Sequence, residues 1–133
     1  MAADFFTQMR SAFTLQRLFA HEAALNGVAG APKPITARDV IRYATLRGAQ
    51  HLWLGDKIGS LTPSKEADIL LLDATALNVA PLNNVPGAVV TLMDRSNVET
   101  VIVAGKLHRW RGRLIDVDLP RLTAQIGADR RVA

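Results

Sequence analysis

The side chains best suited to metal or acid–base chemistry in this chain are its three histidines, His21, His51 and His108. A catalytic zinc site takes about three protein ligands, mostly His, Asp or Glu, and leaves one position open for water. The histidines stand singly, with no His-x-His pair and no His-x-x-x-His pair. His21 falls in a helical stretch and His51 in a shorter one. His108 sits among Lys106, Arg109, Arg111 and Arg113, where neighbouring positive charge opposes a metal cation. All three read as surface or half-buried histidines.

The carboxylates give no better site. Asp4 precedes an apolar-periodic run and reads as a helix cap. Asp68 and Asp73 flank the run Ile69 to Leu72, and Asp56 follows Gly55 in a turn. None forms a pair at the spacing general acid–base work requires. With Cys at 0, thiolate ligands, disulfides and a cysteine nucleophile are excluded. There is no Gly-x-Ser-x-Gly elbow and no phosphate-binding glycine loop. Gly59-Ser60 and Ser64-Lys65 read as turns around Pro63, with the Lys65 side chain solvated. No residue is assigned a catalytic, cofactor-binding or metal-binding role.

The basic run Lys106 to Arg113 holds Trp110 among its cations. A basic strip beside an aromatic can bind single-stranded nucleic acid. Strict alternation places Arg109 and Arg111 on one face, with His108 and Trp110 on the other. That separation favours a solvated, charged edge strand over a nucleic-acid surface.

The elements that carry these residues come in a clear order. Phe5, Met9, Ala12, Phe13, Phe19 and Ala23 recur mostly at helical spacing, predicting a helix over Asp4 to Leu25 that Gly27 stops. Phe6, Leu15 and Leu18 widen its apolar surface, so it wants cover on two sides. Thr36 caps a second helix, with Asp39 three residues on. Gly48 interrupts it, and a short helix from Ala49 to Leu54 follows, with Thr45 as a second cap. The period then changes. Ala67 to Asp73 reads as a strand covered on both faces; Ala88 to Met93 and Val98 to Val103 read as further strands, separated by the polar turn Asp94 to Asn97. A hairpin turn at Ala104-Gly105-Lys106 and a tight turn at Gly112 lead to Leu119 to Ala128, a last helix with Pro120 in its first turn. Arg130 to Ala133 reads as a frayed tail. Helices first, strands second and one helix last define an α+β class.

Within this order, the segment Ala44 to Asp73 carries a set of landmarks: Ala44-Thr45, Gly48-Ala49, Leu54-Gly55, Ile58-Gly59-Ser60-Leu61, Pro63, Lys65, Ala67-Asp68 and Asp73. It resembles the C-terminal return of amidohydrolase-superfamily enzymes of the cytosine deaminase and chlorohydrolase-like kind. The resemblance runs over roughly residues 4 to 115. It implies helices from the end of a (β/α)8 barrel, followed by part of a composite β-sandwich and a C-terminal helix. The implied divisions are 1–55 for the barrel remnant, 56–118 for the sandwich portion and 119–133 for the helix and tail. In that family a metal-binding aspartate ends the last barrel strand, and a stretch Asp-x-Phe-x-x-Met-Arg follows it. Here that stretch is Asp4-Phe5-Phe6-Thr7-Gln8-Met9-Arg10, so the resemblance places Asp4 beyond the ligand.

The chain's 133 residues are too few for a complete barrel, which needs roughly 250. The resemblance therefore implies the C-terminal piece of a metal-dependent hydrolase acting on carbon–nitrogen bonds other than peptides, inactive by itself. Zinc or iron is expected in full-length relatives and no cofactor in this chain. Whether the chain is itself an enzyme stays open, the alternatives being a non-catalytic assembly or binding module, or a weak nucleic-acid binder. The expected partners are a second copy or the missing N-terminal part of the enzyme.

Composition sets the remaining bounds. Hydrophobic residues at 49% and charged residues at 21% describe a globular chain. A formal charge of +4 is ordinary for a soluble protein and a poor basis for nucleic-acid binding. No apolar run approaches the roughly 18 residues of a membrane span, and the first ten residues lack the apolar core of a signal peptide. These features point to a cytoplasmic protein with no membrane partner.

Overall fold

A computed structural model describes residues 4–129. Helix α1 runs over Phe5–Leu25, α2 over Ala37–Arg42 and α3 over Gly48–His51, with a π-helical turn at Tyr43–Arg47 between the last two. Strand β1 follows at Ile69–Leu72, then helix α4 at Val85–Thr91. Strands β2 (Val98–Val103), β3 (Lys106–Trp110) and β4 (Arg113–Leu114) and helix α5 (Leu119–Asp129) complete the order. The four strands form one antiparallel sheet in the order β1-β2-β3-β4. Helices and a small antiparallel sheet together agree with the mixed class read from the sequence. The tail 130–133 lies outside the described residues.

Both predicted caps at the helix starts are present. The Asp4 carboxylate accepts the Thr7 N–H at 2.9 Å, satisfying an orphan donor of α1. Thr36 and Asp39 form a reciprocal capping box at the start of α2. The predicted second cap at Thr45 is absent. Its hydroxyl instead donates to the Ile41 carbonyl at 2.8 Å, inside a helix that continues through the wide π turn to Gly48. Gly48 thus carries the helix on where a break was expected, and α3 ends at His51.

The largest departure lies at residues 88–93. The expected strand there is helix α4. Valines 89 and 90 favour strands through their branched side chains, but the preceding residues decide the matter. Asn84 accepts the Gly87 N–H at 2.9 Å as an N-cap, and Pro86 stands in the first turn, where its missing N–H costs nothing. The polar turn before β2 is also more regular than expected. Asp94 caps a 3₁₀ turn at Arg95–Asn97.

The core sits where α1, α4 and the start of the sheet meet. Phe6, Val79, Ala88 and Met93 are buried together, with Met9, Leu72 and Val98 packed against them. Phe6, not Phe5, is the anchor of α1; Phe5 is 55% exposed, as is much of the broad apolar surface beyond it. Strand β1 also differs from expectation. It lies at the sheet's edge, with Leu70 and Leu71 58% and 45% exposed, so neither face is fully covered.

Candidate functional site

The three histidines lie on three different elements. His21 on α1, His51 at the end of α3 and His108 on β3 are all exposed. Among the described residues no group of three His, Cys, Asp or Glu could hold a metal ion.

The acids serve the backbone. The Thr7 N–H, then its hydroxyl, hold the Asp4 carboxyl below its ordinary value of 3.8. Asp68 accepts the Ala104 N–H at 2.7 Å, tying the entrance of β1 to the β2–β3 hairpin. Asp73 accepts from the Thr75 hydroxyl at 2.6 Å and its N–H at 2.8 Å, and these bonds lower its pKa. Asp56 is exposed.

Lys65 departs from the solvated reading. Its Nζ donates to the Gly55 carbonyl and, at 3.4 Å, to that of Ile58. The ammonium thus clamps a loop whose carbonyls have no helix to satisfy them. Under this loop Gly59 packs on α3 so closely that a Cβ would stand 2.7 Å from that of Ala49. The landmarks of the 44–73 segment are therefore a packing device. Its small residues and its lysine let the loop cross the helix end on its way to the sheet.

The basic strip does not keep the alternation expected of it. Arg111 leaves the strand with φ of 47° and lays its guanidinium over the Trp110 ring, 5.6 Å from the centroid. Arg111 and Trp110 are thus on one side, not opposed. Arg109 is half-buried, and Trp110 is 47% exposed.

Two features escaped the sequence. One is a polar cluster in which Asn97, 1% exposed, bonds Asn78 and the backbone of Asp73 and Asp94. Nothing in spacing reveals it, because its members lie on separate loops. The other is an open apolar groove of about 750 Å³ between α3 and the sheet, lined among others by Phe5, Leu52, Leu61, Leu70 and Val103. It offers apolar contact and no convergent catalytic groups.

Comparison with known proteins places this scaffold. Residues 1–108 match the amidohydrolase family. A 5-methylthioadenosine/S-adenosylhomocysteine deaminase of Moorella thermoacetica is 36% identical over 100 residues, 75% of this chain and 23% of that protein. A 5′-deoxyadenosine deaminase of Methanobrevibacter smithii is 28% identical, over 86% of this chain and 25% of that protein. The zinc-bound crystal structure of an adenosine deaminase from Xanthomonas campestris superposes with a TM-score of 0.78 at 34% identity, covering 96% of this chain and 27% of that one. A triazine hydrolase variant shares the fold at TM-score 0.77 and 21% identity, covering 92% of this chain and 25% of that one. The chain belongs to the amidohydrolase family, and it spans about a quarter of the length of these relatives.

Proposed function

We propose that this chain supplies the C-terminal helix-and-sheet portion of a metal-dependent amidohydrolase that deaminates adenosine-type nucleosides, and that it is inactive alone. The observation that supports this reading is the family match over residues 1–108 combined with coverage of about a quarter of each nucleoside-deaminase relative. In this reading, residues 1–55 belong to a barrel domain, 56–118 to a β-sandwich and 119–133 to a closing helix and tail.

The reaction of such an enzyme exchanges one bond. Water adds at the ring carbon bearing the exocyclic amine, the C–N bond breaks, and ammonia leaves. The described residues of this chain do not fit the zinc or iron expected of the family. Their part is structural. Lys65 and Gly59 seat the loop that joins helix to sheet, and Asp4 starts the helix that anchors the core.

Ammonia release tests the reading. The purified chain, given adenosine or S-adenosylhomocysteine with and without added zinc, should release none. Elemental analysis after dialysis against chelator should find no stoichiometric metal. Mixing with the remaining three quarters of the Xanthomonas campestris deaminase should restore turnover. Turnover by the chain alone would overturn the inactivity. A folded mixture that binds but stays silent would overturn the assignment as a deaminase portion.

A further inference from the structure

One asparagine of this chain is followed by glycine. The asparagines are Asn26, Asn78, Asn83, Asn84 and Asn97, and the residues after them are Gly27, Val79, Asn84, Val85 and Val98. A glycine nitrogen, with no Cβ beside it, can approach a preceding side-chain amide that a β-branched neighbour holds off. Asn26 is also the C-cap of the 21-residue helix α1, and both it and Gly27 are exposed. Asn97, by contrast, is 1% exposed and spends its amide hydrogens on Asn78 and the Asp73 carbonyl.

We propose that Asn26 is a self-modification site, where the backbone of Gly27 converts the side-chain amide to an acid. Solvent base takes the Gly27 N–H proton, and the Gly27 nitrogen bonds to the Asn26 Cγ. The Cγ–Nδ2 bond breaks, and ammonia leaves with a proton from water. A further water opens the resulting succinimide ring at one of its two carbonyls, giving aspartate or isoaspartate. Water is the sole co-reactant.

The fold sets the pace of this reaction. Ring closure needs the Asn26 Cβ and the Gly27 nitrogen eclipsed about the Cα–C bond, and Asn26 stands at ψ 6°, far from that arrangement. The Gly27 N–H is also engaged, donating to the Ala24 carbonyl at 3.1 Å, while the Val28 N–H donates to that of Ala23 at 3.0 Å. Attack must wait until this turn opens, and helix ends open more readily than helix centres. The product does not suit the closed turn. The last turn of α1 holds no basic residue, so a new carboxylate meets the negative end of the helix uncompensated, one turn from Glu22. Isoaspartate adds a methylene to the main chain and throws the Gly27 and Val28 bonds out of register. Conversion thus unlocks the turn that slowed it.

Warm incubation of the purified chain at mildly alkaline pH tests the site, with peptide mapping by mass spectrometry and detection of isoaspartate as the readout. Acid should form at position 26 before any other asparagine, faster as pH rises, and Asn26→Gln should abolish that signal. A free peptide of residues 22–30, which holds no turn, should convert about ten-fold faster than the folded chain. Ala24→Gly, at an exposed residue, loosens the last turn and should speed conversion of the folded chain roughly five-fold. The converted chain should exchange its Val28 amide faster than fresh chain. Acid forming first at another asparagine, or none at position 26 over about a hundred-fold the peptide's conversion time, would overturn the site. A folded chain that converts as fast as the peptide, or an Ala24→Gly variant no faster than the native chain, would overturn the control by the turn. Unchanged Val28 exchange after conversion would refute the unlocking.

Discussion

Asn78 and Asn97 exchange reciprocal side-chain hydrogen bonds, each Nδ2 donating to the other's Oδ1, at 2.9 and 3.2 Å. The second Asn97 donor reaches the Asp73 carbonyl at 3.1 Å, and its oxygen also accepts the Asp94 N–H at 3.0 Å. One nearly sealed amide thus joins the loop after β1 to the turn before β2. Asn97→Ala removes this buried amide and the four bonds it makes, and should cost about 2 kcal/mol. Urea unfolding measures the loss. Asn78→Ala, at an exposed residue, should cost less than half as much.

Acid should weaken the fold in a defined window. Asp4, Asp39, Asp73 and Asp94 all titrate below their ordinary value of 3.8. The leading causes are the Thr7 N–H for Asp4 and the hydroxyls of Thr36, Thr75 and Ser96 for the other three. Because the folded values are depressed, this stabilisation is complete above the unfolded pKa and is lost as pH falls through the folded one. Urea midpoints should be flat from pH 7 to about 5 and fall below about 4. Asp39→Asn should flatten that fall. An equal acid slope in this variant would rule out the capping box as a contributor.

Lys65→Met keeps the aliphatic stem and removes the ammonium that holds the Gly55 and Ile58 carbonyls. Charge-assisted bonds of this kind contribute about 2 kcal/mol. The expected result is a loss of that size, with faster amide exchange at Glu66, whose N–H bonds the Lys57 carbonyl within the clamped loop. Unchanged exchange there would show that the loop holds without its lysine.

Gly59→Ala should be far costlier than Gly105→Ala. Both glycines have positive φ, 89° and 75°. A Cβ at Gly105 meets open space, so only backbone strain remains, about 1 kcal/mol. At Gly59 it would also stand 3.1 Å from the Leu46 Cα and the Thr45 carbonyl oxygen, as well as against Ala49. Backbone cannot yield cheaply, and a loss of about 3 kcal/mol or more is expected from thermal or urea unfolding.

The legible parts of this chain are those governed by local chemistry. Asp4, Thr36 and Asp39 announce helix starts because the cap and its acceptor lie within three residues. Strand Ile69–Leu72 stands out as a short continuous apolar run, and Val98–Val103 through its Val, Thr and Ile residues. Residues 88–93 misled because two valines outweighed the Asn84 and Pro86 signature just before them. Arg111 escaped the alternation of its strand because it belongs to the tight turn with Gly112. The candidate site was legible mainly as a family segment. The work of Lys65 depends on carbonyls ten and seven residues away, and that of Asn97 on three separate stretches, so neither could be read from spacing.

The position of Phe6 bears on the order in which the chain folds. Phe6 comes from the first helix, while Val79, Ala88 and Met93 come from a stretch more than seventy residues later. The β2–β3 hairpin is local and can close within about 1–10 μs, before any distant segment arrives. The core must wait for a much longer loop to close, against an entropy that grows with loop length. Formation of the hairpin and burial of Phe6 should thus be kinetically distinct. Core substitutions at Phe6 should then mainly quicken unfolding, whereas changes that weaken the hairpin slow folding.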